Sequence, residues 1–517
     1  MDYRTYFFQY NAITTYFHKM KFNRNEFFFA AVYFVQAAVG ISALAQFLFT
    51  RNELGLDFVQ LGILAALPTI SWSIKPIYGF LTDLVPIRGY RRRPYLHIMP
   101  LITIVSWLYI WQFADSFTSF AIPIMIANVG MGFTDVICDG LVVQTSDEKT
   151  AGRYQSICWG ALTVGAIVST FLSGLLLGRD IVGIRGMFLL TALMPLITFI
   201  LSFFVKEERI SDRSELKVHR VISLRYIYAA FVAFVFTILI LWPREGQNSG
   251  LMSLSIIGIW FVWFAFYFKH LMDLKIIGKS IFVAAIFIFL WRFTPSFGAP
   301  WQDYFLNNVG IDEETYGYFG VVSYVGWLIG SILFAKWIDR YDLKKVLMWT
   351  IVLGSLLGLS QLGVTKIELA NAIGMNPIIH YTGAVIASPV YLVAFGSGFW
   401  TQLMHYDGVV FLNFFLDFWL GILYMISFLA LLKFVALSTP KNLEGTNFAV
   451  FASIMNFGLV FGSISGGYIY EHIQTGLTLS VFSMNGLQLT VWLGAITSLL
   501  ALIALPYIKT EHMAHES

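Results

Sequence analysis

The stretch GFLTDLVPIRGYRRR (79–93) decides how the chain is read. It begins inside an apolar run, passes Asp83, and ends on Arg91, Arg92 and Arg93. The apolar run behind it covers 57–83, and another, 94–114, lies ahead. About 20 apolar residues cross a bilayer as one helix, and Lys and Arg collect in cytoplasmic loops. The stretch is therefore read as a short cytoplasmic loop between two membrane spans.

Working outward, the same pattern fills the chain. Of 517 residues 58% are apolar and only 12% charged, against about 25% charged in ordinary soluble chains. That composition argues against a soluble enzyme, a disordered chain and a disulfide scaffold. The net charge of +3 implies no basic face for nucleic acid. Fourteen spans are expected, near 26–50, 57–83, 94–114, 117–145, 153–177, 185–205, 222–242, 251–270, 279–306, 314–337, 345–364, 409–437, 445–470 and 486–508. With both termini cytoplasmic, 26 of the 33 Lys and Arg fall inside, five fall outside (Arg51, Arg179, Arg185, Arg244, Lys366), and Lys75 and Arg292 lie within spans. This balance requires the apolar run 378–400, broken by Pro389 and glycines, to make no net crossing. It is read as an outer-side re-entrant or surface segment.

The two halves echo each other. AKWIDRYDLKK (335–345) repeats the opening loop, with Asp339 matching Asp83 at an offset of 256. GRYQSICWGALTVGAIVSTFLSG (152–174) aligns with GTNFAVFASIMNFGLVFGSISGG (445–467) at an offset of 293, placing Gly174 on Gly467. The expected organisation is a cytoplasmic segment 1–24, a six-helix half 25–206, and a loop 207–221. An inserted two-helix hairpin 222–274 follows. The second half is 275–509, with its outer insertion near 365–408, and the tail is 510–517. An all-α polytopic protein with repeated halves is the plan of many secondary transporters.

KPIYGFLTDLVPIRGYRRRP (75–94), DVICDGLVV (135–143), FLWRFTPS (289–296) and VLMWTIVLGSLLGLSQ (346–361) resemble the folate–biopterin transporter family of the major facilitator superfamily. The resemblance runs from about 30 to 206 and from 275 to 508. It implies a major facilitator fold and secondary active transport of folates or pterins by alternating access, coupled to protons as a symport. No G-x-S-x-G, H-E-x-x-H or P-loop pattern occurs in the sequence, so neither enzyme activity nor a cofactor is expected. A multi-pass protein of the bacterial inner membrane, acting as a monomer, is the expected setting. The rivals are a permease for another anionic or aromatic solute and a non-transporting membrane receptor.

Charge inside a bilayer is costly unless it faces a cavity or a partner, so buried ionisable residues are the site candidates. These are Lys75, Asp135, Asp139, Asn128, Arg292 and Asp417. Asp135 and Asp139 are four apart on one helix face, with Asn128 two turns before. Arg292, Ser296 and Asp303 follow helical spacing in 279–306, as do Asn413, Asp417 and Tyr424 farther on. Lys75 and Arg292 would bind substrate anions, such as a folate's two carboxylates. Asp135 or Asp139 would carry the coupling proton, or an acid would bond the amino edge of a pterin. The competing reading is a structural ion pair of Lys75 with Asp135 or Asp139. Asp303 is read as a surface residue, and Asp417 is equally a packing residue.

The resemblance further implies a cytoplasmic latch of Asp83, Arg91, Arg153 and Asp339, with Asp339 meeting Arg153. Arginines that only fix topology are the alternative. Trp72, Trp291 and Trp327 are candidates to stack on a planar ring. The histidines show no metal-ligand spacing, and Cys138 and Cys158 read as packing residues.

Overall fold

The computed structural model describes residues 24–145, 151–205, 207, 209, 224–243, 247–273, 279–337, 341–437, 444–473, 477–479 and 482–508. Backbone in hydrocarbon has no water to bond, so it closes its hydrogen bonds along helices. The first half comprises α1 (Arg24–Glu53), α2 (Phe58–Leu84), α3 (Arg93–Phe113), α4 (Phe117–Thr145), α5 (Ala151–Gly178) and α6 (Ile184–Ser202). The inserted hairpin is α7 (Leu224–Leu241) and α8 (Ser249–Asp273). The second half comprises α9 (Lys279–Arg292), α10 (Gly298–Asp303), α11 (Glu313–Trp337), α12 (Leu343–Val364), α13 (Ile367–Gly374), α14 (Pro377–Phe395), α15 (Phe399–Leu403), α16 (Gly408–Leu437), α17 (Glu444–His472), α18 (Gly486–Ser498) and α19 (Ala501–Ala504). A small antiparallel pair, β1 (Leu477–Leu479) and β2 (Phe482–Met484), lies between α17 and α18.

Polar caps set the helix starts. Asp57 and Gln60 form a reciprocal capping box on α2, and Asn485 and Gln488 form another on α18. The Glu207 carboxylate accepts the backbone N–H groups of Arg91, Arg92 and Arg93 at 2.7 to 3.2 Å. An acid is favoured there by the unpaired amides and the dipole at the start of α3.

Two helices break inside the bundle, each beside a proline. A proline has no N–H and crowds the carbonyl four residues back. In α2 the helix is interrupted at Ile74, and Pro76 leaves the Trp72 carbonyl without its usual intrahelical donor. Asn456 of α17 supplies the donor instead, from Nδ2 at 3.2 Å. In the second half, 293–297 is non-helical around Pro295, and the Ser296 N–H bonds the Gly462 carbonyl at 2.8 Å. The expected single span 279–306 is thus two helices with a gap, and the helical spacing of Arg292, Ser296 and Asp303 does not hold.

Thirteen described helical segments are long and apolar enough to cross a membrane, one of them Pro377–Leu403. The other twelve match expected spans. The remaining two expected spans contain the shorter apolar helices Arg225–Leu241 and Phe282–Arg292. The direction of the chain constrains what Pro377–Leu403 does. α11 and α16 run side by side in the same sense: Phe319 lies on Phe414, Gly326 at Phe418 and Gly330 at Ile422. Parallel helices need an odd number of crossings between them, and α12 supplies one. Both ends of the segment accordingly sit at one end of the bundle. Gly374 packs on Gly408, Gly383 on Phe411, and Tyr391 on Phe414 and Thr315.

The halves meet along two helix pairs, α2 with α17 and α5 with α11. These are the elements that the internal repeat relates, exchanged between halves. Each crossing is built on glycine: Gly174 abuts Gly317, and Gly467 abuts Gly62. A Cβ on Gly467 would lie 2.2 Å from the Phe58 carbonyl oxygen, so the backbones touch only without one. The hairpin covers the α2–α17 side, with Phe261 on Phe461 and Phe264 stacked on Phe457.

Candidate functional site

The break in α2 presents Trp72 and Lys75 toward α4. The Lys75 ammonium donates to Asp135 Oδ2 at 2.6 Å and lies 4.5 Å from the Trp72 ring centre. The Trp72 indole N–H donates to Asn128 Oδ1 at 3.1 Å. One turn beyond Asp135, Asp139 accepts the Tyr33 hydroxyl of α1. Four of the predicted residues, Lys75, Asn128, Asp135 and Asp139, therefore form one cluster in the first half. The Lys75 and Asp135 side chains are only 17% and 4% exposed, so the ammonium is paired with one carboxylate while the second, Asp139, is held by a hydroxyl.

Arg292 stands apart from that cluster. It ends α9, where the last carbonyls of a helix favour a cation, and donates to the Tyr424 hydroxyl of α16 at 2.8 Å. Its Nε is buried without a hydrogen-bond partner. Trp291 and Trp327 stack against Tyr424 from 6.2 and 4.8 Å, and Phe428 extends the stack toward Trp159 of the first half. Asn456 and Gly458 of α17 touch Trp72 and Arg292 respectively, so one helix adjoins both clusters.

Asp417 lines a third place. Its Oδ2 accepts from Asn413 Nδ2 at 2.9 Å, and it faces a cavity of about 360 Å³ between the halves. Gly40 and Ala43 of α1, Thr170 and Ser173 of α5, and Phe297, Trp301, Gln302, Tyr316 and Gln361 of the second half share the lining. A neighbouring cavity of about 380 Å³ lies within the second half and shares Phe297 and Gln361.

Of the predicted cytoplasmic latch, Asp83, Arg91 and Arg153 lie among the described residues. Arg153 is held within its own half by Glu26, at 2.8 and 3.0 Å. Asp339 lies outside the described residues. Asp83 is half-buried under the charges of Arg91 and Arg92, and Arg92 donates to the Gly140 carbonyl at 2.6 Å. No group of three or more His, Cys, Asp or Glu suited to a metal occurs among the described residues.

Contacts between the halves gather instead at the opposite end of the bundle. Arg51 pairs with Asp303 at 3.2 Å. Arg179 binds both Glu314 oxygens at 2.8 and 3.1 Å. Glu471 accepts the Phe58 N–H at 2.9 Å. Sequence reading missed this set and left Asp303 on the surface, whereas it is 7% exposed. Its one signal was the scarcity of cations on that side, Arg51 and Arg179 being two of five.

A model of the BT1 family matches residues 37–381. The chain belongs to the BT1 family. A relative named folate-biopterin transporter from Synechocystis is 27% identical over 92% of this chain and 80% of its own length. Probable folate-biopterin transporter 5 of Arabidopsis thaliana is 25% identical over 81% of this chain and 70% of its own. Among solved structures, a D-xylose–proton symporter matches at a TM-score of 0.57 with 13% identity, over 93% of this chain and 96% of the other. The nucleoside transporter NupG matches at 0.53 with 13% identity, over 94% and 100%. These likenesses give this BT1 protein the major facilitator fold. It is an integral, multi-pass membrane protein of a transporter family.

Proposed function

We propose that this BT1 protein carries folate- or pterin-like solutes across the bacterial inner membrane by alternating access, with protons as the coupling ion. The observation that carries the reading is the place of Lys75, Asp135, Asp139 and Arg292 inside apolar helices, Asp135 buried and the other three partly so, in a family whose relatives are named for folate and biopterin. Buried charges persist in membrane proteins where they serve a solute or ion path. Asp135 already has the Lys75 ammonium, so Asp139, with only the Tyr33 hydroxyl, is the carboxylate whose charge a proton would cancel. Arg292, with a free Nε and a hydroxyl partner rather than an acid, remains open to a substrate carboxylate. The gaps at Ile74 and 293–297 supply local hinge points, and the glycine crossings supply surfaces on which the halves rock. Both termini, the Arg91–Arg93 loop and the hairpin ends are assigned to the cytoplasm, and the 365–408 insertion to the outer face.

Uptake by cells or proteoliposomes tests the proposal. Labelled folate or biopterin should accumulate in them, more so under an inward proton gradient. A protein that binds these solutes yet moves none would overturn the transport reading. Accumulation that a protonophore leaves unchanged would overturn the coupling.

A further inference from the structure

Resting on that reading, we infer that the Asp417 cavity receives the amino-heterocycle end of the substrate, and that an anionic tail is excluded from it. The lining carries one acid and no Lys, Arg or His. A carboxylate tail entering it would meet the Asp417 side chain with no cation in the lining to hold it. A 2-aminopyrimidine edge offers the complement, two adjacent N–H donors side by side. A carboxylate has about four lone-pair positions. Asn413 occupies one on Oδ2, which leaves acceptor capacity on both oxygens.

The rest of the cavity suits a flat ring with polar edges. Phe297, Trp301 and Tyr316 provide aromatic surface, and Gln302, Gln361 and Ser323 provide amide and hydroxyl groups. Ser173 Oγ, also in the lining, is buried without a partner. Buried polar atoms left unbonded are costly, and a ring nitrogen or oxo group could accept from the Ser173 hydroxyl. The cavity lies between halves, with Gly40, Thr170 and Ser173 from one and Asp417 from the other. A ring bound there contacts both halves, as a solute must if its binding is to bias their movement. The neighbouring cavity, reached past Phe297 and Gln361, leads to Trp291 and Tyr424, and Tyr424 holds Arg292. A substrate with its ring at Asp417 would thus extend its tail toward a cation.

Competition against labelled folate in proteoliposomes tests the inference. Pterin, which has no tail, should compete, and p-aminobenzoylglutamate, which has no pteridine, should compete at least about tenfold more weakly. A 2,4-diaminopteridine, the more basic ring, should compete better than the 2-amino-4-oxo ring. In Asp417→Asn that preference should vanish, and pterin competition should weaken about ten- to hundredfold, the range of a lost charge-assisted bond. Equal competition by p-aminobenzoylglutamate overturns the inference without any variant, as does an unchanged ring preference in Asp417→Asn. The outcome differs if the functional reading itself is wrong: the wild-type protein then takes up neither folate nor biopterin.

Discussion

At the residue scale, Lys75 and Asp135 show how one short sequence feature sets a buried charge. Pro76 opens the helix at Ile74, and the loosened turn carries Lys75 to the α4 carboxylate. Removing one partner of such a pair leaves the other charge buried and alone, at a cost of about 3–5 kcal/mol. Lys75→Ala should therefore lower the thermal midpoint of the purified protein and abolish uptake. The double variant Lys75→Met, Asp135→Leu should regain most of the midpoint without regaining uptake. Recovery of both would reduce the pair to a structural strut. Arg292→Ala should abolish uptake of folate with unchanged surface expression, whereas a solute without carboxylates should lose far less. Kinetic uptake of folate and biopterin, measured in parallel, separates these outcomes.

At the scale of elements, the two glycine crossings and the inserted segment decide how the halves are held. Gly174 and Gly467 occupy matching positions in the repeat and do the same work at two seams. Gly467→Ala places a carbon against the Phe58 carbonyl, so α2 and α17 must separate. Labelling of a cysteine placed near Gly62 by an impermeant reagent should then rise several-fold. The insertion braces the other seam. The Ala394 carbonyl accepts from Arg179 at 3.1 Å, and the Phe395 ring lies 4.8 Å from its guanidinium. A segment packed on the second half thus holds an arginine of the first. Arg179→Ala should raise labelling at that seam as well, and Phe395→Ala should do so to a smaller degree. If neither changes access, the strap is packing only.

At the scale of the molecule, the crossing parity of 365–408 fixes the orientation of everything after it. Cysteines in place of Lys366 and Asp407 should react with an impermeant reagent from the same side of the membrane. Labelling from opposite sides would require α14 and α15 to cross, and would invert α16, α17 and α18 relative to the first half. One end of the bundle holds the ion pairs of Arg51 with Asp303 and Arg179 with Glu314, which join the two halves.

The sequence by itself determined the class of molecule: many apolar spans, basic residues gathered in alternate loops, a repeat and a hairpin between its copies. Those features are local, since apolar length and the position of arginines need no partner to be read. It also singled out Lys75, Asp135, Asp139 and Arg292, because charge within an apolar run is visible in one dimension. Tertiary structure alone decided which of these meet. Lys75 chose Asp135, Arg292 took a tyrosine, Arg153 took Glu26, and Asp417 opened onto a cavity. The ion pairs between the halves join residues more than 130 positions apart. Their partners follow from how two repeated halves cross, and no local pattern encodes that crossing.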